Sequence, residues 1–314
     1  MQVEEELGEL SPERDMLITI GVFDGVHLGH KYLISQLKEH ARQQNLLTGV
    51  VTFRQHPLEV LSPQTRLPYL TNLAEKVKLL KEEGVDAVIP LTFNQELANL
   101  SASQFVGILK KYLRMRGLII GPDFTLGQNR EGNAASLKAL GQDMNFSVMV
   151  IDPKIVNNEV VSSTAIRDAL ADGNIKRVVN LIGHPFSLKG QVTSGAGSSS
   201  RLDLFPTANL DVDPGQAVPA NGVYATRAHI EDKVYQAVTN IGWRPTFDGD
   251  SRTIETYILN YQGNLYGREL KIDFVERLRD ENRFDSAEEL KKQITKDIKQ
   301  GKAILDSRGK DQYG

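Results

Sequence analysis

Up to about residue 184, short apolar runs alternate with stretches whose apolar residues recur at helical spacing; beyond it the helical spacing disappears until the very end of the chain. That contrast restricts the fold to two differently built parts. In the first, Met16-Leu17-Ile18-Thr19-Ile20, Gly49-Val50-Val51-Thr52-Phe53, Ala87-Val88-Ile89-Pro90-Leu91 and Leu118-Ile119-Ile120-Gly121 read as buried strands. From Lys31 onward, Leu33, Ile34, Leu37 and Ala41 share one helical face. Ser101 and Gln104 form a capping box that opens a second helix with the stripe Phe105, Ile108, Leu109, Tyr112 and Leu113. Strands separated by helices pair in parallel, and ligands of such sheets bind beyond the carboxyl ends of the strands.

His184-Pro185-Phe186-Ser187 reads as a linker, placing the boundary between residues 184 and 185. Short strands follow, from Val223 to Ile230, Val234 to Gly242, Thr253 to Asn260 and Leu270 to Val275. Glu231-Asp232-Lys233 and Gln262-Gly263-Asn264 between them read as hairpin connections, so the second part is a small antiparallel barrel or sandwich. A closing helix starts at a capping box of Ser286 and Glu289, with Leu290, Ile294 and Ile298 facing inward. The 314 residues suffice for two such domains.

Composition narrows the chemistry. Lys and Arg number 37 against 40 Asp and Glu, a net charge of -3, so there is no basic footprint for nucleic acid. With no Cys there are no disulfides, thiolate metal sites or cysteine nucleophiles, and a reducing compartment fits best. The acidic amino end lacks the form of a secretory signal, and no apolar run approaches the roughly 18 residues of a membrane span. A cytoplasmic protein without membrane or nucleic-acid partners is expected, as a monomer or weak homo-oligomer.

The strongest motif is Gly21-Val22-Phe23-Asp24-Gly25-Val26-His27-Leu28-Gly29-His30, where the first strand ends and the first helix begins. Glycines there permit a tight turn, and a helix start offers unpaired amides to an anion. His27 and His30 can both donate to phosphate oxygens. The plain alternative is a glycine turn with two surface imidazoles, but two of only six His within four residues favour the phosphate reading. A second cluster, Val161-Ser162-Ser163-Thr164-Ala165-Ile166-Arg167, reads either as an ordinary helix cap or as a further phosphate element.

The first motif resembles the HxGH motif of the nucleotidylyltransferase superfamily, whose Rossmann-like parallel-sheet domain transfers a nucleotide to a phosphate acceptor with loss of pyrophosphate. The resemblance assigns Gly21, Phe23, Gly25 and Gly29, with Ser162, Ser163, Thr164 and Arg167, to ATP and its phosphates. Gly121-Pro122-Asp123-Phe124-Thr125-Leu126-Gly127 is similar to the G-x-D-F-x-F-G loop of the prokaryotic bifunctional riboflavin kinase/FAD synthetases, with Leu126 for the second Phe. Phe205-Pro206-Thr207-Ala208-Asn209, Asn240-Ile241-Gly242-Trp243-Arg244-Pro245-Thr246-Phe247 and Arg279-Asp280-Glu281-Asn282-Arg283-Phe284-Asp285-Ser286 resemble the PTAN, NIGxRPTF and RDExxFDS motifs of that family, in its order.

The family resemblance implies a bifunctional enzyme. Residues 185–314 would phosphorylate riboflavin to FMN, and residues 1–184 would adenylylate FMN to FAD. It implies Thr207 and Asn209 as holders of Mg²⁺ and ATP, Gly195 and Gly197 as part of a phosphate loop, Glu255 as the base, and Asp123, Phe124, Arg130 and Arg279 as flavin contacts. Leu204 stands where the family has Gly, and Asp203 adds a negative charge near the phosphates, so weakened ATP binding in the kinase half is expected. The alternatives are an adenylyl- or cytidylyltransferase with another acceptor, and a flavin-binding regulatory protein with a silent kinase module.

Overall fold

The computed structural model describes residues 1–10, 12–193, 206–246 and 249–308. It divides into two compact units, Met1–Ser163 and Thr164–Gly314. In the first unit the elements run α1 (Gln2–Gly8), β1 (Met16–Ile20), α2 (Leu28–Gln44), β2 (Leu47–Phe53), α3 (Pro57–Leu61), α4 (Leu73–Glu82), β3 (Ala87–Leu91), α5 (Gln95–Ala98), α6 (Ala102–Leu113), β4 (Met115–Ile120), α7 (Ala134–Met144), β5 (Ser147–Val150) and the small hairpin β6 (Ile155–Val156) and β7 (Glu159–Val160).

The five longer strands pair in parallel in the order β3-β2-β1-β4-β5. Central β1 is buried throughout, as a run apolar on both faces requires. Met16, Ile18 and Ile20 face a layer that includes Val3 and Leu7 of α1 and Phe105 and Leu109 of α6, while Leu17 faces Ile34, Leu37 and Ala41 of α2 and Leu80 of α4. Burial of each such aliphatic chain contributes about 1.5–3 kcal/mol. The Ser101 capping box forms in both directions. Because chain order reverses across β1, with β2 on one side and β4 on the other, a crevice opens beyond their carboxyl ends. The loops 21–27 and 121–132 emerge there.

The second unit takes in the body of α8 (Ser163–Ala171), then α9 (Ile175–Ile182), β8 (Phe186–Thr193), β9 (Thr207–Val212), β10 (Gly222–Ile230), β11 (Lys233–Thr246), β12 (Gly249–Ile258), β13 (Glu269–Arg279) and α10 (Ala287–Ser307). The strands close an antiparallel barrel in the order β10-β11-β12-β9-β8-β13.

Two expectations are corrected here. Phe186 is not linker: it is buried at the start of β8 and packs on Phe274 of β13. Gln262-Gly263-Asn264 does not join a hairpin, because β12 pairs with β11 and β9 while β13 pairs with β10 and β8. The intervening pair β8 and β9, supplied from earlier in the chain, fills the gap between β12 and β13. Of the two expected connections, Glu231-Asp232 makes a true two-residue hairpin, with Ile230 opposite Lys233 and Glu231 at φ 53°.

The terminal helix differs in detail. Ser286 accepts from the Glu289 amide as expected, but Leu290, Ile294 and Ile298 are only half-buried. The buried positions are Asp297, Gly301 and Leu305, on the carboxyl half of α10. A Cβ at Gly301 would lie 3.0 Å from Val238, so the glycine permits the helix to approach β11.

Candidate active sites

The first site is built on the loop between β1 and α2. Phe23, Gly25 and Val26 have φ of 52°, 82° and 38°, a conformation that costs side-chain-bearing residues free energy and must be held from outside. The buried carboxylate of Asp24 does so by accepting from the amides of Leu70 and Thr71 at 2.9–3.1 Å, while the Thr71 hydroxyl accepts from Gly25 N–H at 3.0 Å. The Thr52 hydroxyl donates to the Val22 carbonyl at 3.0 Å.

The result is a fixed entry into α2. His27 is its N-cap, with Nδ1 accepting from the His30 amide at 3.3 Å, so the proton of the neutral ring sits on Nε2. The His27 and His30 rings stack with centroids 3.6 Å apart and 14° between planes, and Phe23 backs His30 at 4.9 Å. Gly29 makes room for the pair: a Cβ there would lie 3.1 Å from the His27 ring and from the Val161 carbonyl. Burial, with the neighbouring His27 and Lys76, holds His30 well below the usual imidazole range. Its Nδ1 is buried and makes no hydrogen bond.

Ser163 of the second expected phosphate element reaches the first. Ser163 Oγ donates to the Asp24 carbonyl at 2.9 Å. Ser162 precedes α8, Thr164 is exposed in its first turn, and Arg167 is half-buried one turn on. In the loop after β4, Asp123 and Arg130 are exposed, with Arg130 Nε donating to Thr125 Oγ1 at 3.1 Å, and Phe124 packs partly against the core. Leu126 is buried there and bridges to Gly132, so the smaller residue is accommodated.

The second site lies on the barrel. Glu255 of β12 stands opposite Asn209 of β9 and Asn240 of β11, and Thr207 stands opposite Tyr257. Residues opposite one another, and those two apart on a strand, share a face, so Thr207, Asn209, Glu255, Tyr257 and Asn240 project together while Ala208 and Thr256 turn into the barrel. Thr207, Ala208, Thr256, Ile258, Tyr261 and Leu265 line a cavity of about 310 Å³. Oxygen donors in this arrangement suit Mg²⁺, which favours carboxylate, carbonyl and hydroxyl oxygens beside water and substrate phosphates. Among the described residues no group of three His, Cys, Asp or Glu forms a ready metal cage. Arg279, opposite Val223, is clasped by Asp297 of α10 at 2.8–3.1 Å and lies over Phe284. The expected loop residues Gly195 and Gly197, and the substitutions Asp203 and Leu204, fall outside the described residues.

Residues 10–165 match the family model of FAD synthetase, and residues 182–305 that of riboflavin kinase. The chain belongs to the bifunctional riboflavin kinase/FMN adenylyltransferase family. Proteins of that name from Escherichia coli K12 and Pseudomonas fluorescens are 38% and 37% identical to it, over 91% and 97% of this chain and 92% and 98% of theirs. A crystal structure from Streptococcus pneumoniae, described as a macrolide-efflux protein, superposes with a TM-score of 0.87 at 30% identity, covering 96% of this chain and 97% of its own. Among the described residues no helix is long and apolar enough to cross a membrane. As a member of the bifunctional family, the enzyme phosphorylates riboflavin to FMN and adenylylates FMN to FAD, with riboflavin, FMN and ATP as its small-molecule substrates.

Sequence reasoning missed three residues of these sites. Asp24 lay inside a quoted motif but its fastening role depends on Leu70 and Thr71, far along the chain. Asn240 becomes Glu255's neighbour only through the strand order. Lys76 had a legible signal: a lysine one turn before Leu80 on the apolar stripe of α4.

Proposed function

We propose that adenylyl transfer takes place over the amino end of α2 and phosphoryl transfer over the Asn209–Glu255 row of the barrel, with the functional division at residue 184. The observation that carries the first assignment is the stacked His27–His30 pair, held by its own helix cap at the switch point of the sheet. In the first reaction an FMN phosphate oxygen bonds to the α-phosphorus of ATP and the bond to the β-phosphate oxygen breaks, releasing pyrophosphate. His27 and His30 donate to the phosphate oxygens as charge builds on them, and the amides of α2 add to that field. Ser162, Ser163, Thr164 and Arg167 hold the departing phosphates, while Asp123, Phe124 and Arg130 contact the flavin. Gly21, Phe23, Gly25 and Gly29 shape the cradle.

In the second reaction the ribityl 5′-oxygen of riboflavin bonds to the γ-phosphorus of ATP, ADP leaves, and Glu255 accepts the hydroxyl proton. Thr207 and Asn209 hold Mg²⁺, which when bound with ATP offsets phosphate charge. The cavity beside Thr207 is the proposed seat of the nucleotide, a reading supported by Thr207 in its lining. Arg279 orders the flavin side of the site through its clasp with Asp297.

The test follows FMN and FAD by chromatography. His27→Ala and His30→Ala are expected to lower FAD formation by about 10²–10³ and to leave FMN formation intact. Glu255→Gln is expected to lower FMN formation by about 10²–10⁴ while FAD still forms from added FMN. Undiminished FAD synthesis in both histidine variants would overturn the first assignment.

A further inference from the structure

Lys76 of α4 is only 6% exposed, and Leu80 one turn on is fully buried. Its Nζ donates to the carbonyls of Val22 at 3.1 Å and Phe53 at 2.7 Å, at the carboxyl ends of β1 and β2. Those two carbonyls are its direct partners among the described residues, and the nearest opposite charge is Asp24, whose carboxylate is engaged by the Leu70 and Thr71 amides. A buried ammonium costs several kcal/mol unless an opposite charge or good hydrogen bonds offset it, and two neutral carbonyls do so only in part. Near it the amino end of α2 carries a positive partial charge, and the His27–His30 pair adds no negative one. The Asp24 carboxylate, shared with two backbone amides, offsets this positive potential only in part, and the remainder is complementary to an anion.

We propose that Lys76 is a positioning residue for adenylyl transfer, its buried charge holding the loop after β1 against the end of β2 and sustaining the potential that draws a nucleoside triphosphate onto the histidine pair. The proposal rests on reading His27 and His30 as the phosphate site. It differs from a purely mechanical clamp because the Thr52 hydroxyl also holds the Val22 carbonyl and remains when Lys76 is replaced.

The experiment compares Lys76→Met, Lys76→Arg and His27→Ala in the full chain. Lys76→Met is expected to raise KM for ATP in FAD synthesis by about tenfold or more, to leave the rate of FMN formation unchanged, and to move the NMR titration of His30 upward as a neighbouring cation is lost. Lys76→Arg is expected to restore most of the affinity and the low His30 titration. Unchanged FAD kinetics in Lys76→Met, or a loss of activity with an unmoved His30 titration, overturns the proposal. Retained FAD synthesis in His27→Ala instead overturns the reading of the site itself. Where Lys76→Met loses the dispersed NMR signals of the sheet unit and so has not folded there, the wild-type enzyme decides: a non-hydrolysable ATP analogue with Mg²⁺ is expected to shift the Lys76 ε-carbon resonance, and an unmoved resonance overturns the proposal.

Discussion

His30 holds a proton less readily than a histidine in water, because its ring is buried and faces His27 and the Lys76 ammonium, with Asp24 the nearby carboxylate. The sign of the consequence differs between folding and binding. In the unfolded chain the ring titrates near 6.5, and in the native protein well below it. Below pH 6.5 the unfolded state therefore binds the extra proton, so the stability gained by keeping the ring neutral is present above that pH and is lost as the pH falls through and below it. A bound triphosphate acts oppositely, since its charge favours the imidazolium. ATP binding at neutral pH is accordingly expected to take up a proton, visible by calorimetry in two buffers of different ionisation enthalpy. Equal heats in both would mean that the ring remains neutral in the complex.

At the scale of elements, α10 gives the clearest energetic forecast. Asp297, with a side chain 4% exposed, pairs with Arg279, 19% exposed, from β13. Removing one partner leaves the other charge buried, which costs about 3 kcal/mol. Asp297→Ala is thus expected to lower the denaturation midpoint and to weaken FMN formation, and an unchanged midpoint would show the pair to be dispensable. This clasp also marks where the sequence stopped being legible. The parallel strands and α6 could be read because their apolar periods and caps are local properties of the chain. Leu290, Ile294 and Ile298 lie on the same stripe as Asp297, Gly301 and Leu305, and Ile298 packs on the barrel core, yet burial is deepest at the latter three, because depth depends on the ion partner on β13 and on how closely Val238 allows the backbone to come. The false hairpin at 262–264 has the same origin: strands adjacent in sequence were separated by β8 and β9, a long-range pairing that no local pattern encodes. His27 and His30 were legible since helix geometry alone brings them together; Asp24's partners and Lys76's carbonyls were not.

The two compact units have separate cores, one around β1 and its covering helices, another around the barrel and α10. Substitutions confined to one core or site should leave the other folded and active, since distant independent sites contribute additively. The units are joined chemically by FMN, which is product of the barrel site and substrate of the sheet site. A mixture of His30→Ala, able to make FMN, with Glu255→Gln, able to consume it, is therefore expected to form FAD from riboflavin far faster than either variant does alone. Because the FMN must leave one molecule and enter another, FAD should appear after a lag that shortens as protein concentration rises. Failure of the mixture, with each half-reaction intact in its own variant, would mean that the intermediate has to pass within a single chain.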